Sequence, residues 1–192
     1  MKKLYVIAGC NGAGKTTASY TILPEILDCD EFINADEIAK GISPFNPDGA
    51  SFQAGRIMLE RIHSLIESGK TFAFETTLAT KSYRGFIEKA QAKGYSVSLM
   101  YFYLNSKELA VKRVETRVKE GGHNISKNVI LRRYDNGLNN FFTIFKDLVS
   151  EWTLIDNSGR PYKTIAETTD GILVVHETKI WNQLKENYNG KD

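Results

Sequence analysis

Apolar residues along this chain recur with two periods, and the switch between them marks the elements. Leu4 to Ala8 is an unbroken apolar run after Lys2-Lys3, which predicts a buried strand over residues 3–8. A helix is predicted over 15–26. Residues 31–34 read as a short second strand, followed by a short helix over 35–40 that Gly41 stops. Ser43-Pro44-Phe45-Asn46-Pro47-Asp48-Gly49 is turn chemistry and predicts a loop. Ile57, Met58, Ile62, Leu65 and Ile66 then repeat at helical spacing, which predicts a helix over 51–68 capped by Gly69.

The alternation continues to the end of the chain. Residues 71–75 read as a strand, 81–93 as a helix capped by Gly94, and 96–104 as a strongly apolar strand. Asn105 and Ser106 open a helix to about residue 119, and Gly121-Gly122 breaks it. A longer helix follows over 126–149. Residues 152–155 and 171–175 read as strands with 162–166 as a partner strand, and the last helix covers 179–187. Strands alternating with helices predict a three-layer α/β fold, a parallel sheet flanked by helices. With no repeat, linker or low-complexity run, residues 1–192 read as one domain. In such sheets ligands sit at the carboxyl ends of the strands.

Composition changes this picture little. The chain has 192 residues, 42% hydrophobic and 25% charged, enough for one full core. A formal charge of +2 gives no reason to expect broad nucleic-acid binding. Cys10 and Cys29 are too few for a disulfide framework and read as reduced thiols in a cytoplasmic setting. Lys2-Lys3 before the apolar run to Cys10 loosely imitates an export signal, but the run has strand length and leads straight into Gly12-Ala13-Gly14-Lys15. No stretch reaches the roughly 18–20 apolar residues of a membrane helix.

The candidate chemistry starts at that junction. Gly9-Cys10-Asn11-Gly12-Ala13-Gly14-Lys15-Thr16 fits G-x-x-x-x-G-K-[ST] in full, after a strand and before a helix. A glycine-rich turn lets consecutive N–H groups point at phosphate oxygens, and the following helix adds its N-terminal dipole. Lys15 supplies charge for the β- and γ-phosphates, and the Thr16 hydroxyl is placed to ligate Mg²⁺. Residues Gly9 to Thr16, with Thr17, are the expected nucleotide site, and ATP with Mg²⁺ the expected cofactors.

Two carboxylates follow the next strands. Asp36 could orient an acceptor hydroxyl and take its proton, or could merely cap its helix. Glu75 closes the apolar run Phe72-Ala73-Phe74, so it should face a cleft and meet Mg²⁺-bound water or substrate, or pair with an arginine. Thr76 and Thr77 offer hydroxyls to a polar substrate. Arg113 and Arg117 share one helix face, and Arg132-Arg133 lie beyond the glycine pair. A basic lid over about 117–133, hinged at Gly121-Gly122, would stabilise the charge of a transferring phosphoryl group; a solvated basic face is the other reading. His123 stands alone as a possible ligand and does not make a metal site. Asn157-Ser158-Gly159, after the strand that ends near Asp156, could border an adenine base. Tyr134, Phe141, Phe142 and Phe145 read as core packing.

Taken in order, these segments resemble the zeta toxin family of P-loop kinases, from Leu4 to about Gly159. The marks are the loop 9–16, Asn34-Ala35-Asp36, Phe74-Glu75-Thr76-Thr77-Leu78, Arg117 before Gly122-His123-Asn124-Ile125, and Arg132-Arg133-Tyr134. The resemblance implies ATP-dependent phosphorylation of a sugar hydroxyl, with UDP-N-acetylglucosamine the acceptor in the family's toxins. It implies that Lys15 and Thr16 hold ATP and Mg²⁺, that Asp36 contacts the acceptor hydroxyl, that Glu75 lies in the cleft, and that Arg117 and either Arg133 or Arg132 serve the lid. The chain is short after Asn105 for a nucleotide-sugar site, so the small-molecule acceptor can differ. An antitoxin partner is implied by the family and by nothing in the single chain. Two other functions compete: an NTPase switch without an acceptor, and a polynucleotide-end kinase, which the near-neutral charge disfavours. A transporter-type ATPase is disfavoured too, because 72–76 matches its strand-plus-acid pattern only in part.

Overall fold

Every residue of the first strand from Leu4 to Ala8 is buried, on both of its faces, so this strand lies at the centre of a covered sheet. In the computed structural model, which describes residues 1–122 and 124–188, that strand is β1, Lys2–Gly9. It runs parallel to β3, Phe72–Thr76, on one side and to β4, Tyr95–Tyr103, on the other. β2, Phe32–Ile33, pairs with β3, and β5, Glu151–Asp156, pairs with β4, all parallel. The parallel part therefore has the order β2-β3-β1-β4-β5. Two antiparallel strands extend it beyond β5: β6, Lys163–Thr169, and β7, Ile172–Val175.

The helices follow the predicted alternation. They are α1, Lys15–Glu25; α2, Ala35–Ile42; α3, Ser51–Ser68; α4, Tyr83–Ala92; α5, Lys107–Lys119; α6, Lys127–Asn140; α7, Lys146–Leu148; and α8, Thr178–Tyr188. A short 3₁₀ turn, Asp48–Ala50, leads into α3. Gly69 and Gly94 adopt the left-handed conformation expected of helix stops. Gly41 does not stop α2, which runs on to Ile42. The helix expected over 126–149 is interrupted: Phe141–Phe145 widen into a π turn between α6 and α7. That turn buries Phe141, Phe142 and Phe145, and it carries Phe141 and Phe142 into an aromatic cluster with Tyr101, Trp152 and Trp181.

Register decides where the functional side chains meet. Ile7 lies opposite Glu75 across β1 and β3, and Ile33 lies opposite Phe74 across β2 and β3. The strand ends that precede the phosphate loop, Asn34 and Glu75 thus finish side by side. α6 closes the other wall. Gly137 lets it approach, since a Cβ there would lie 2.6 Å from the Thr77 carbonyl and 2.7 Å from the Tyr101 hydroxyl. The buried amide of Asn140 then donates to the Leu78 carbonyl at 2.8 Å. Among the described residues no helix is long and apolar enough to cross a membrane.

Candidate active site

The phosphate loop is braced by side chains that bond its carbonyl groups. Gly9, Gly12 and Gly14 all have positive φ, which only glycine adopts without strain. Space is equally restrictive: a Cβ on Gly12 would meet the Ala110 carbonyl at 2.8 Å, and one on Gly14 the Asn157 amide at 2.6 Å. Asn157 donates to the Ala13 carbonyl at 2.8 Å. Arg113 donates to the Ser158 carbonyl at 3.0 Å and the Gly12 carbonyl at 3.5 Å. These two residues brace the back of the loop, and the Arg113 guanidinium is spent on backbone rather than on a lid. α1 has Gly14 at its N-cap, with no side-chain cap and no acidic residue in its first turn. Its first N–H groups have no protein acceptor from a cap, which suits a polyphosphate.

The chemistry of the strand ends converges on Glu75. Its carboxylate lies 3.4 Å from the Lys15 ammonium. It accepts hydrogen bonds from Thr16 Oγ1 at 2.7 Å and from Asn34 Nδ2 at 2.9 Å. Lys15 also donates to the Cys10 carbonyl at 3.1 Å, so its ammonium lies folded against the loop. Glu75 does line the cleft, as expected of it; the alternative of an arginine partner is not what the structure shows, since its ion pair is with the loop lysine. Thr16 and Glu75 offer hard oxygen donors side by side, a set that fits Mg²⁺. No cluster of three or more His, Cys, Asp or Glu residues stands ready for a metal among the described residues. A magnesium ion here would be shared with a nucleotide rather than caged by protein.

Asp36 is not the cap of its helix. Asn34 takes that position, its Oδ1 accepting the N–H groups of Asp36 at 2.8 Å and Glu37 at 3.4 Å. The Asp36 side chain is left to line a cavity of about 550 Å³ together with Lys15, Glu75, Thr77, Arg132 and Arg133. Thr76 borders the same cavity, but its hydroxyl accepts the Leu78 N–H at 3.0 Å and is partly committed to the turn. Leu78 is buried with φ of 57°, a strained conformation for a branched apolar residue, and Asn140 pins it.

Of the two adjacent arginines, Arg133 is half-buried and donates to Asn11 Oδ1 at 3.2 Å, while Arg132 is exposed at the cavity mouth. Burial pulls the Arg133 pKa down, and the Asp36 carboxylate opposes that shift. Asn136, one turn after Arg132 on α6, also lines the cavity; the i to i+4 spacing was visible in the sequence. Tyr83 and Met58 complete the wall, with the Tyr83 ring stacked on Phe74 at 5.2 Å between centroids. Burial raises the Tyr83 phenol pKa.

Arg117 faces the phosphate loop. It lines a second, adjoining cavity of about 260 Å³ with Thr16, Thr17, Asp36, Glu75 and Arg113. The glycine pair after it is a helix stop in the structure. Gly121 N–H bonds to the Val118 carbonyl and Gly122 N–H to the Arg117 carbonyl, with Gly121 left-handed, the bonding pattern of a Schellman cap. His123 lies outside the described residues.

Strand order, phosphate loop and strand-end carboxylates together define a P-loop kinase fold. Within that class the chain belongs to the zeta toxin family, whose sequence profile matches residues 1–165. An uncharacterized protein of Haemophilus influenzae is 33% identical over 140 residues, covering 69% of this chain and 98% of that protein. Among solved structures, a chain of the AvrRxo1-ORF1:ORF2 complex with ATP superposes over 100% of this chain with a TM-score of 0.76 and 14% identity. This chain spans 66% of that one's length. The PezAT toxin–antitoxin system of Streptococcus pneumoniae is similar over 98% of this chain and 86% of its own, with a TM-score of 0.63 and 15% identity.

Proposed function

We propose that this protein is an ATP-dependent kinase that moves the γ-phosphoryl group to a hydroxyl of a small, sugar-like acceptor. The observation that carries the reading is that two adjoining cavities, one against the phosphate loop and one beside it, share Lys15, Glu75 and a carboxylate that does not cap its helix, Asp36. Gly9 to Thr17 would hold the triphosphate, with Lys15 on its charged end. Thr16 and Glu75 would hold Mg²⁺, which when bound neutralises phosphate charge. Asp36 would accept the proton of the acceptor hydroxyl as its oxygen bonds to the γ-phosphorus. The bond from that phosphorus to the β–γ bridging oxygen then breaks, and ADP leaves. Arg133, in the larger cavity, and Arg117, in the smaller one, suit the charge of the transferring group. Glu75, Thr76 and Thr77, with Asp36, would position the acceptor.

UDP-N-acetylglucosamine is the first acceptor to test, on the strength of family membership. Relatives in toxin–antitoxin complexes also support a protein antitoxin as a partner of this chain. The test is incubation with γ-labelled ATP and a panel of nucleotide-sugars, nucleosides and simple sugars. Label on one compound is expected, and Asp36→Asn should slow its transfer about 100-fold or more with ATP affinity nearly intact. Release of label only as inorganic phosphate, at the same rate with and without every acceptor, would favour an NTPase switch.

A further inference from the structure

Asn34 does more than cap a helix. Its side chain is 6% exposed, and both ends of the amide are used. Capping needs only the oxygen, which takes the Asp36 and Glu37 N–H groups. The nitrogen donates to Glu75 Oε2 at 2.9 Å and lies 3.4 Å from Thr16 Oγ1. Thr16 donates to that same Glu75 oxygen. A planar amide therefore joins the first turn of α2, which carries Asp36, to the carboxylate that faces the phosphate loop.

We propose that Asn34 is a positioning residue that couples nucleotide binding to the placement of Asp36. The proposal rests on the kinase reading above and deepens it. Glu75 is held by three groups: Lys15, Thr16 and Asn34. A triphosphate competes for the first two, since both belong to the phosphate loop. Asn34 is the partner that has no role toward phosphate, so it keeps its hold as the others turn away. Any change in the Glu75 carboxylate then passes through one rigid group to the Asp36 backbone. Coupling of this kind is reciprocal: an acceptor that orders Asp36 strengthens the nucleotide site by the same factor. A shorter polar cap could start α2 but could not carry that signal.

The test is amide hydrogen exchange on the full chain, with and without saturating ATP and Mg²⁺, in wild type and in Asn34→Ser. Serine retains a cap oxygen but is too short to reach Glu75. In the wild type, exchange in the first turn of α2 is expected to slow by roughly 5-fold or more on adding nucleotide, within the usual range of coupling. In Asn34→Ser the loop 9–17 should still be protected by nucleotide, while the nucleotide-dependent change in α2 disappears. A cap defect alone would speed α2 exchange equally in both states and leave the nucleotide-dependent difference intact, which would overturn the proposal. So would a wild type whose loop is protected and whose α2 does not respond. Absence of protection in the loop itself would instead sink the kinase reading and the coupling with it. Asn34→Asp provides the second variant should the serine form fail to fold. It keeps the cap oxygen and loses the donor, and the same loss of response is expected.

Discussion

Cys10 occupies a variable position of the phosphate loop, and its environment settles what its thiol can do. Burial pushes the Cys10 pKa up to about 11, against the smaller opposing effect of the Lys15 charge. The neutral thiol is the form the fold favours, so its contribution to stability is complete below about pH 9 and fades as pH rises toward 11. At neutral pH its thiolate fraction is about 100-fold below that of an ordinary thiol. Iodoacetamide should therefore label Cys10 slowly at pH 7.5, and rapid stoichiometric labelling of the folded protein would contradict the site as described. The neighbouring arginines give a second test at this scale. Arg133→Ala should lower kcat by about 100-fold, because it removes a donor aimed at the cleft. Arg132→Ala should act mainly on the acceptor KM, and the reverse pattern would exchange their assignments. Sequence reasoning identified the loop, Asp36 and Glu75 as candidates but left the arginine choice open. It also left open whether Asp36 was a cap. Both questions turn on which way a side chain points from one helical turn, and a linear pattern does not record that. Asn34 went unassigned for the same reason, although an Asn ahead of Asp-Glu is itself an N-cap signal.

At the scale of elements, small residues decide how closely the walls of the cleft approach. Gly137 has no room for a methyl group against the Thr77 carbonyl and Tyr101 hydroxyl. Gly137→Ala should push α6 outward and cost about 1–3 kcal/mol, or a Tm lower by roughly 3–10 °C. It should also reduce turnover more than nucleotide affinity, because α6 carries Arg132, Arg133 and Asn136 while the phosphate loop is braced from α5 and β5. A variant with unchanged Tm and activity would show that α6 is not seated through this contact. Gly122 acts similarly on Arg117, whose side-chain stem would lie 2.5 Å from an added Cβ. Most elements were legible from periodicity; α3 runs over Ser51–Ser68 as its apolar spacing requires. The π turn at Phe141–Phe145 was not, because three phenylalanines in a helical stretch look alike whether the turn holds 3.6 residues or more. The hinge read from Gly121-Gly122 and the cap seen there arise from the same two glycines; spacing alone does not distinguish them.

At the scale of the molecule, the order β2-β3-β1-β4-β5 places β1 between two neighbours and brings three strand ends to one edge. Alternating strands and helices made the parallel sheet legible in advance. Its antiparallel extension through β6 and β7 was less so, since a partner strand was expected at 162–166 but its direction depends on a turn rather than a helix. The proposed function requires that residues 9–17 enclose a polyphosphate with Lys15 on its charge. Calorimetric titration of the wild type and of Lys15→Ala with ATP and Mg²⁺ measures that assertion directly. One nucleotide per chain should bind to the wild type, and the substitution should weaken binding by about 10- to 100-fold, the worth of a charged hydrogen bond. Equal affinity in the two proteins, or no heat of binding in either, would contradict it.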